Sequence, residues 1–346
     1  MIFDVIIIGA GQAGLSMGYH LSKTTKRFII LDQGKRIGDV WRNRYDSLML
    51  FTPRSFSSLP GMKMDGNPNE FPSKDEVADY LEQYADTFDL PIQLETEVLS
   101  LRKGGETFSI ESSQGTLHSK EVIIATGPFQ TPAIPPIYKN LSNDVYQVHS
   151  SAYRNPSQLQ AGNVFVIGGG NSGAQIAVEL AKTKEVHFSV SQNIRYLPLS
   201  FLGHSIFWWF DRLGILKATR NSFIGKRIRS KGDPIFGYDL KHLLHEKKIT
   251  LHPRTQGCSR SIVKFQDEQQ VEVQNVIWAT GFSSNYDWIQ IPSVCDNAGK
   301  PMHNRGITNI KGLYFLGQPW QHKRGSALLL GVGEDAEFIV NHLQDR

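Results

Sequence analysis

An α/β architecture of two three-layer, doubly wound domains, one inserted into the other, is predicted by three observations. A β-branched strand, a glycine turn and a helix occur in that order at residues 3–21 and again from residue 163 onward. Each unit is closed by a buried apolar strand that ends in Ala-Thr-Gly, at 125–127 and at 279–281. The chain has 346 residues, which is the length of two ordinary domains rather than one. Together these describe a Rossmann-like (ββα/βαβ) dinucleotide-binding domain present twice.

The elements follow in order. Residues 3–8 are a continuous apolar run, as in a parallel strand buried on both faces, and 15–21 follow with helical spacing. Residues 27–31 supply the second strand. The stretch 34–72 is long, rich in Pro, Ser and Gly and without periodicity, and long connections of this kind usually carry function. Ser73 and Glu76 are spaced as a capping box, with Val77, Tyr80, Leu81 and Tyr84 on one face of the helix they start. Residues 92–119 read as short alternating strands with turns at Gly104-Gly105 and Gln114-Gly115, and 121–125 as a further buried strand. A proline-rich crossing, PFQTPAIPP, leads to the second unit. The strand GLYFLG at 312–317 and a helix from about Glu334 complete the chain. The predicted bounds are 1–155 with 285–346 for the first, discontinuous domain, and 156–284 for the inserted one.

Composition narrows the function classes. Hydrophobic residues at 40% and charged residues at 20% are the balance of a globular protein. The net charge of +4 is small and Lys and Arg are scattered, so nucleic acid is not expected as a partner. Cys258 and Cys295 form neither a disulfide framework nor a Cys-x-x-Cys dithiol, no metal site is expected, and a cytoplasmic compartment fits. The first residues already read as a strand, with no room for a cleaved leader. Apolar runs fall short of the roughly 20 residues of a membrane span. The cluster FLGHSIFWWF, interrupted by Gly203 and His204, reads as core or dimer packing in preference to a substrate channel or a membrane-surface contact, which leaves a homodimer open.

Gly9-Ala10-Gly11-Gln12-Ala13-Gly14 fits GxGxxG: the first glycine makes the turn, the second admits a pyrophosphate, and the third lets helix pack on strand. Asp32, 23 positions after Gly9 and followed by Gln33, ends the next strand, where a carboxylate can bind ribose hydroxyls. Gly168-Gly169-Gly170-Asn171-Ser172-Gly173 repeats the pattern. The same count reaches Ser191 and Gln192, with no acid to exclude a 2′-phosphate and with Arg195 close by to pair with one. Two such units in one chain suit hydride transfer from a nicotinamide to a flavin, with FAD on the first unit and NADPH on the second. Gln192 can bond free ribose hydroxyls, so NADH is the expected second donor.

The motifs VIIIGAGQAG, IGDVWRNRYDSLMLFTP, HSSAYR at 149–154, IGGGNSGAQIA, the two Ala-Thr-Gly turns and GLYFLGQPW resemble the class B flavin monooxygenase superfamily, and within it short bacterial CzcO-like flavoproteins, over essentially the full length. The resemblance implies that Trp41 and Arg42 lie along FAD and that Ala125, Thr126, Gly127, Thr280 and Gly281 join the two domains. Leu48, Thr52, Val98 and Gln318 belong to the cofactor set it implies. The catalytic positions it implies are Phe51, where eukaryotic-type members hold Asn above the flavin, and Asn171. Of the family sequence FxGxxxHxxxY only His149, Ser150 and Tyr153 are kept, since Asn143 and Val145 replace Phe and Gly, and the Baeyer–Villiger relatives carry Trp at the place of Tyr153. Where relatives place Arg-Thr for the 2′-phosphate this chain has Gln192-Asn193. His149, beside Ser150 and Ser151, reads first as a hydrogen-bonding residue of a domain-linking loop.

The expected activity is that of an FAD-dependent NAD(P)H oxidoreductase, a monooxygenase that uses dioxygen to oxygenate a small molecule at a soft sulfur or nitrogen through a C4a-hydroperoxyflavin. Two alternatives stand beside it: a flavoprotein reductase passing electrons to a protein or quinone, and a non-catalytic redox sensor linked to cation transport.

Overall fold

The computed structural model describes residues 2–344. The first strand, Ile2–Ile8, lies between two parallel partners, Phe28–Leu31 and Gly115–Ile124, in a nine-stranded sheet. Ile8 is in register with both Leu31 and Ile124, and Phe315 of the strand Leu313–Phe315 is in register with Ile124. The carboxyl ends of four strands therefore reach one edge together, where open α/β sheets bind their ligands. The helices Gln12–Leu21 and Leu329–Gln344 pack on one face, over a core that includes Leu15, Val332 and Ile339.

Sequence and structure differ in three places. The strand read as ending near residue 119 and the one read at 121–125 are a single strand, Gly115–Ile124. Its first half pairs antiparallel with Thr107–Ser112, and its last three residues, 122–124, run buried beside Ile6, Ile7 and Ile8. The change of environment, not a turn, interrupts the pattern. The last helix begins at Leu329, five positions before the expected start. Two glycines inside it are close-packing positions: a Cβ on Gly331 would stand 2.7 Å from Gly325, and one on Gly333 would stand 2.3 Å from Pro60. The second sheet, finally, draws an edge strand from Tyr146–His149, ahead of residue 156, in the order 249–252, 186–189, 164–167, 275–278, 146–149. Every pair in it is parallel.

The capping box at Ser73 is formed as expected: Ser73 Oγ accepts from the Glu76 N–H and Glu76 Oε2 accepts from the Ser73 N–H at 2.8 Å. The Ser73 N–H bond and the paired guanidinium of Arg54 hold the Glu76 carboxyl below its ordinary range. Arg54 is itself buried, so this pair fastens the long 34–72 connection to the helix Lys74–Thr87.

Two buried histidines make a pH prediction. His187 Nδ1 and His252 Nε2 are 2.9 Å apart, and His252 stacks on Phe265. Burial, then the neighbouring His187, pushes His252 down to about 4, and burial lowers His187. An unfolded imidazole protonates near 6.5 while the folded pair resists, so the pair's contribution is complete above that pH and declines as pH falls toward about 4. Thermal melts should therefore drop between about pH 7 and about pH 5, and His252→Phe should reduce that drop. An equal drop in wild type and variant would refute the assignment.

Candidate active site

The two glycine loops show the same three-part construction. Gly9 and Gly168 adopt φ of +108° and +125°, and a Cβ on either would lie 2.6 Å from Ala125 O or 2.1 Å from Ala279 O. These carbonyls belong to the two Ala-Thr-Gly turns, so each turn closes over its own loop. Gly14 and Gly173 face inward: a Cβ would meet Gly9 O at 1.8 Å or Gly168 O at 2.2 Å. At Gly11 and Gly170 a Cβ would meet nothing within 4 Å. Each of these middle glycines caps the following helix, Gln12–Leu21 or Asn171–Leu180, with no side chain on the free N–H groups. Both helix ends are thus open, N–H-lined positions suited to a pyrophosphate.

A cavity of about 450 Å³ extends from the first loop. Gly9, Gly11, Gln12 and Ala13 line it with Asp32, Gln33, Val98, Ala125, Thr126 and Gly127. Asp32 accepts from the Ala10 N–H at 2.6 Å and from the Gly34 N–H at 2.7 Å, which fixes the carboxylate at the rim while two oxygens leave lone pairs for further donors. The three-glycine cradle, the uncapped helix and this carboxylate fit a flavin adenine dinucleotide. Thr96, Gln130, Asn285, Trp288 and Gly317 also line the cavity and escaped the sequence reading. Thr96 could have been inferred, because its N–H bonds Asp32 O at 2.8 Å and it lies just past a parallel strand, at the ligand edge. Asn285 and Trp288 arrive from beyond the second turn and have no local signal.

Trp41, Arg42, Leu48, Thr52 and Gln318, also expected at the cofactor, are not among the residues lining this cavity. The Arg42 guanidinium turns away to Asp79 and Glu82 at 2.9 Å each, with Asp39 at 3.7 Å, so it clamps its own short helix to Lys74–Thr87. Trp41 packs half-buried on the core that includes Leu15 and Val332, and its Nε1 has no hydrogen-bond partner among the described residues. Leu48 packs on the core of the second sheet, which includes Val166, Ile176 and Phe188. Thr52 is buried with its hydroxyl 2.8 Å from Ser57 Oγ. Gln318 is buried too, its amide donating to Tyr286 OH at 2.9 Å, while the adjacent Gly317 is the residue at the cavity.

A second cavity, about 340 Å³, lies between the 47–51 segment and the helix Asn171–Leu180. It brings Phe51 and Asn171 together with Gln175, Ile235, Phe236 and Asp239. Phe51 stacks on Phe236 with centroids 4.4 Å apart. The Asn171 amide is used at both ends, donating to Pro234 O and accepting from the Phe236 N–H, each at 3.0 Å, so its side chain positions the Phe236 wall of the cavity. Ser191, Gln192 and Arg195 are exposed beyond the second loop, and Arg195 donates to Lys231 O at 2.8 Å. Ser172 is exposed on the first turn of the helix.

The two turns are joined by a short antiparallel ribbon in which Phe282 pairs with Pro132 and Ser283 with Thr131. Thr280 Oγ1 donates to Ala133 O, Gln130 donates to Thr126 and Gly127, and the Asn285 N–H donates to Gln130. His149 belongs to this junction. The Ser151 N–H donates to Nδ1, which leaves Nε2–H to donate to Gly281 O at 2.9 Å, and burial lowers its pKa, so the imidazole is a neutral strut. Tyr153 OH donates to Glu179 at 2.8 Å.

Among the described residues no His, Cys, Asp and Glu group is placed to hold a metal, and no helix is long and apolar enough to cross a membrane. Both cysteines are free, and burial pushes the Cys258 thiol up to about 11, so neither supports dithiol exchange.

Residues 6–196 match the family described as pyridine nucleotide-disulphide oxidoreductase. The chain is 57% identical to an oxidoreductase named CzcO-like from Geobacillus kaustophilus, covering 99% of this chain and 98% of that one, and 51% identical to the oxidoreductase CzcO of Bacillus subtilis, covering 99% of both. The flavin-containing monooxygenase from Stenotrophomonas maltophilia superposes with a TM-score of 0.83 at 26% identity, over 100% of this chain and 99% of that one. With two nucleotide cradles and these relatives, the chain belongs to the pyridine nucleotide-disulphide oxidoreductase family and is a flavoprotein oxidoreductase of the flavin monooxygenase-like kind.

Proposed function

We propose that this enzyme binds FAD on the first glycine loop and NAD(P)H on the second, and oxygenates a soft sulfur or nitrogen atom of a small molecule at the expense of dioxygen. The observation that supports it is the pair of uncapped helix ends, each behind a middle glycine with empty space before it, held together by the ribbon between the two turns. Bound FAD would supply the redox chemistry, by which the electron pair of the reduced nicotinamide would reduce dioxygen, one oxygen atom going to the substrate and the other leaving as water. The chain's own residues bind, orient and keep water away. The N–H groups beginning at Gln12 receive the pyrophosphate, and Asp32 receives ribose hydroxyls. Phe51 and Phe236 give the second cavity an apolar wall that excludes water. Asn171 acts as a positioning residue through the Phe236 segment. The domains are 1–155 with 285–346 for FAD and 156–284 for the nicotinamide, with the edge strand Tyr146–His149 shared across that boundary. No carboxylate waits beyond the second loop and Arg195 is exposed there, so NADPH is preferred with NADH as second donor. The ratio of kcat/KM for the two coenzymes measures this.

The deciding experiment is to reduce the enzyme anaerobically with NADPH and mix it with oxygen in the presence of thioether and amine substrates. Oxygenated product in step with coenzyme consumed is the expected outcome. Stoichiometric hydrogen peroxide with no product from any nucleophile would overturn oxygen transfer and leave a simple reductase.

A further inference from the structure

Between Leu197 and Gly232 the inserted domain makes an excursion whose outer surface no other described residues cover. It begins with a hairpin, Ser200–Phe201 against His204–Ser205, continues through the helix Ile206–Arg212, and ends with the helix Phe223–Ser230. The aromatic cluster seen in the sequence divides here. Phe207 is fully buried, against Phe51 and Phe236, so that part is core packing as expected. The rest is not core. Leu202 is 72% exposed, Leu213 67%, and Phe223 79%, with Phe201 and Ile224 about half exposed. Large apolar side chains grouped at this exposure mark an interaction surface.

The tip is rigid. Trp209 Nε1 donates to Phe201 O at 2.8 Å and its ring meets Phe201 edge-on at 6.2 Å, while Trp208 stacks on His204 at 4.0 Å with the Arg212 guanidinium 5.7 Å from its ring. Its charge is also unlike the rest of the molecule. Residues 201–232 carry seven Lys and Arg against one acid, Asp211, an excess of six in a chain whose net charge is +4, so everything outside them is net acidic. Four of the cations, Lys226, Arg227, Arg229 and Lys231, fall within six positions, which corrects the reading of Lys and Arg as scattered.

We propose that this excursion docks the enzyme on an anionic lipid surface, its exposed aromatic and aliphatic side chains entering the headgroup boundary and its cations meeting lipid phosphates. Interfacial binding needs this pairing of apolar insertion with local positive charge. A second copy of the chain is a poorer occupant, because a two-fold contact sets the same patch against itself and brings like charges together. Nucleic acid would use the cations but leave Leu202, Leu213 and Ile224 without a role. The short helices lie on the surface, since no helix among the described residues can span a bilayer.

The test is co-sedimentation of the full-length holoenzyme with phosphatidylcholine vesicles, with and without about one-third phosphatidylglycerol, at low and high salt. Binding is expected only with the anionic lipid, weakened by salt, with a shift in tryptophan emission from Trp208 and Trp209. R227E/R229E and F223S/I224S should each lower the partition coefficient on the order of tenfold or more while leaving the flavin content and thermal melt unchanged, since all four side chains are exposed or half-exposed surface groups. Equal binding to neutral and anionic vesicles, or wild-type binding by either variant, overturns the proposal. So does a dimer in light scattering that F223S/I224S dissociates, which would make the patch a contact between copies.

Discussion

Gly11→Val is expected to give a folded protein without colour. The position is singular in the first loop because nothing within 4 Å would meet an added Cβ, so the branch point of the side chain stands in open space and the melt should match that of flavin-stripped wild type. The space it fills is the one in front of the uncapped helix beginning at Gln12, where a pyrophosphate must come close to backbone N–H groups. A branched side chain there holds the phosphates off, and a loss on the order of a hundredfold in flavin affinity, about 2.7 kcal/mol, is the expected scale. Gly14→Ala makes the contrast. Its Cβ would lie 1.8 Å from Gly9 O, a backbone atom that cannot move away, so colour would be lost there through unfolding and would say nothing about binding. Visible flavin absorbance after gel filtration, read beside the melt, separates the two. A Gly11→Val protein that retains one flavin per chain would remove FAD from this loop.

The glycine loops were legible because their chemistry is local: a tight turn, a close approach and a helix start all lie within six residues. The capping box at Ser73 is local in the same way, and it forms. What escaped depends on distant partners. Arg42 sits in a segment that resembles a flavin contact, yet its guanidinium is claimed by Asp79 and Glu82, acids that nothing near residue 42 announces. Asn171 has the loop position of a catalytic group, but its amide is satisfied by backbone 63 and 65 residues away. The strand Gly115–Ile124 reads as two because its neighbours change midway, and Tyr146–His149 joins the second sheet by pairing with Asn275–Trp278. Residues held by such long-range bonds are the ones whose partners a one-dimensional pattern leaves out.

Gly170→Val should produce the converse of the first variant: a yellow enzyme that its coenzyme reduces poorly. Gly170 also has no atom within 4 Å of an added Cβ and also precedes an uncapped helix, so the fold should tolerate the change as it does at Gly11. Flavin content should stay at the wild-type level, because the lining of the first cavity is drawn from positions between Ile8 and Gln130 together with Asn285, Trp288, Gly317 and Ala327, and includes none of the second loop. The KM for NADPH should rise on the order of tenfold or more, with a smaller change in kcat at saturation, the signature of an interaction that serves ground state and transition state alike. Reduction by dithionite, which needs no nucleotide site, should proceed as in wild type. Two loops of nearly identical shape can be told apart only by function, and this pair of substitutions does so. If Gly170→Val loses the flavin while Gly11→Val keeps it, the two cofactors have been assigned to the wrong loops; if both variants stay yellow and both keep the wild-type KM, neither open glycine faces a pyrophosphate.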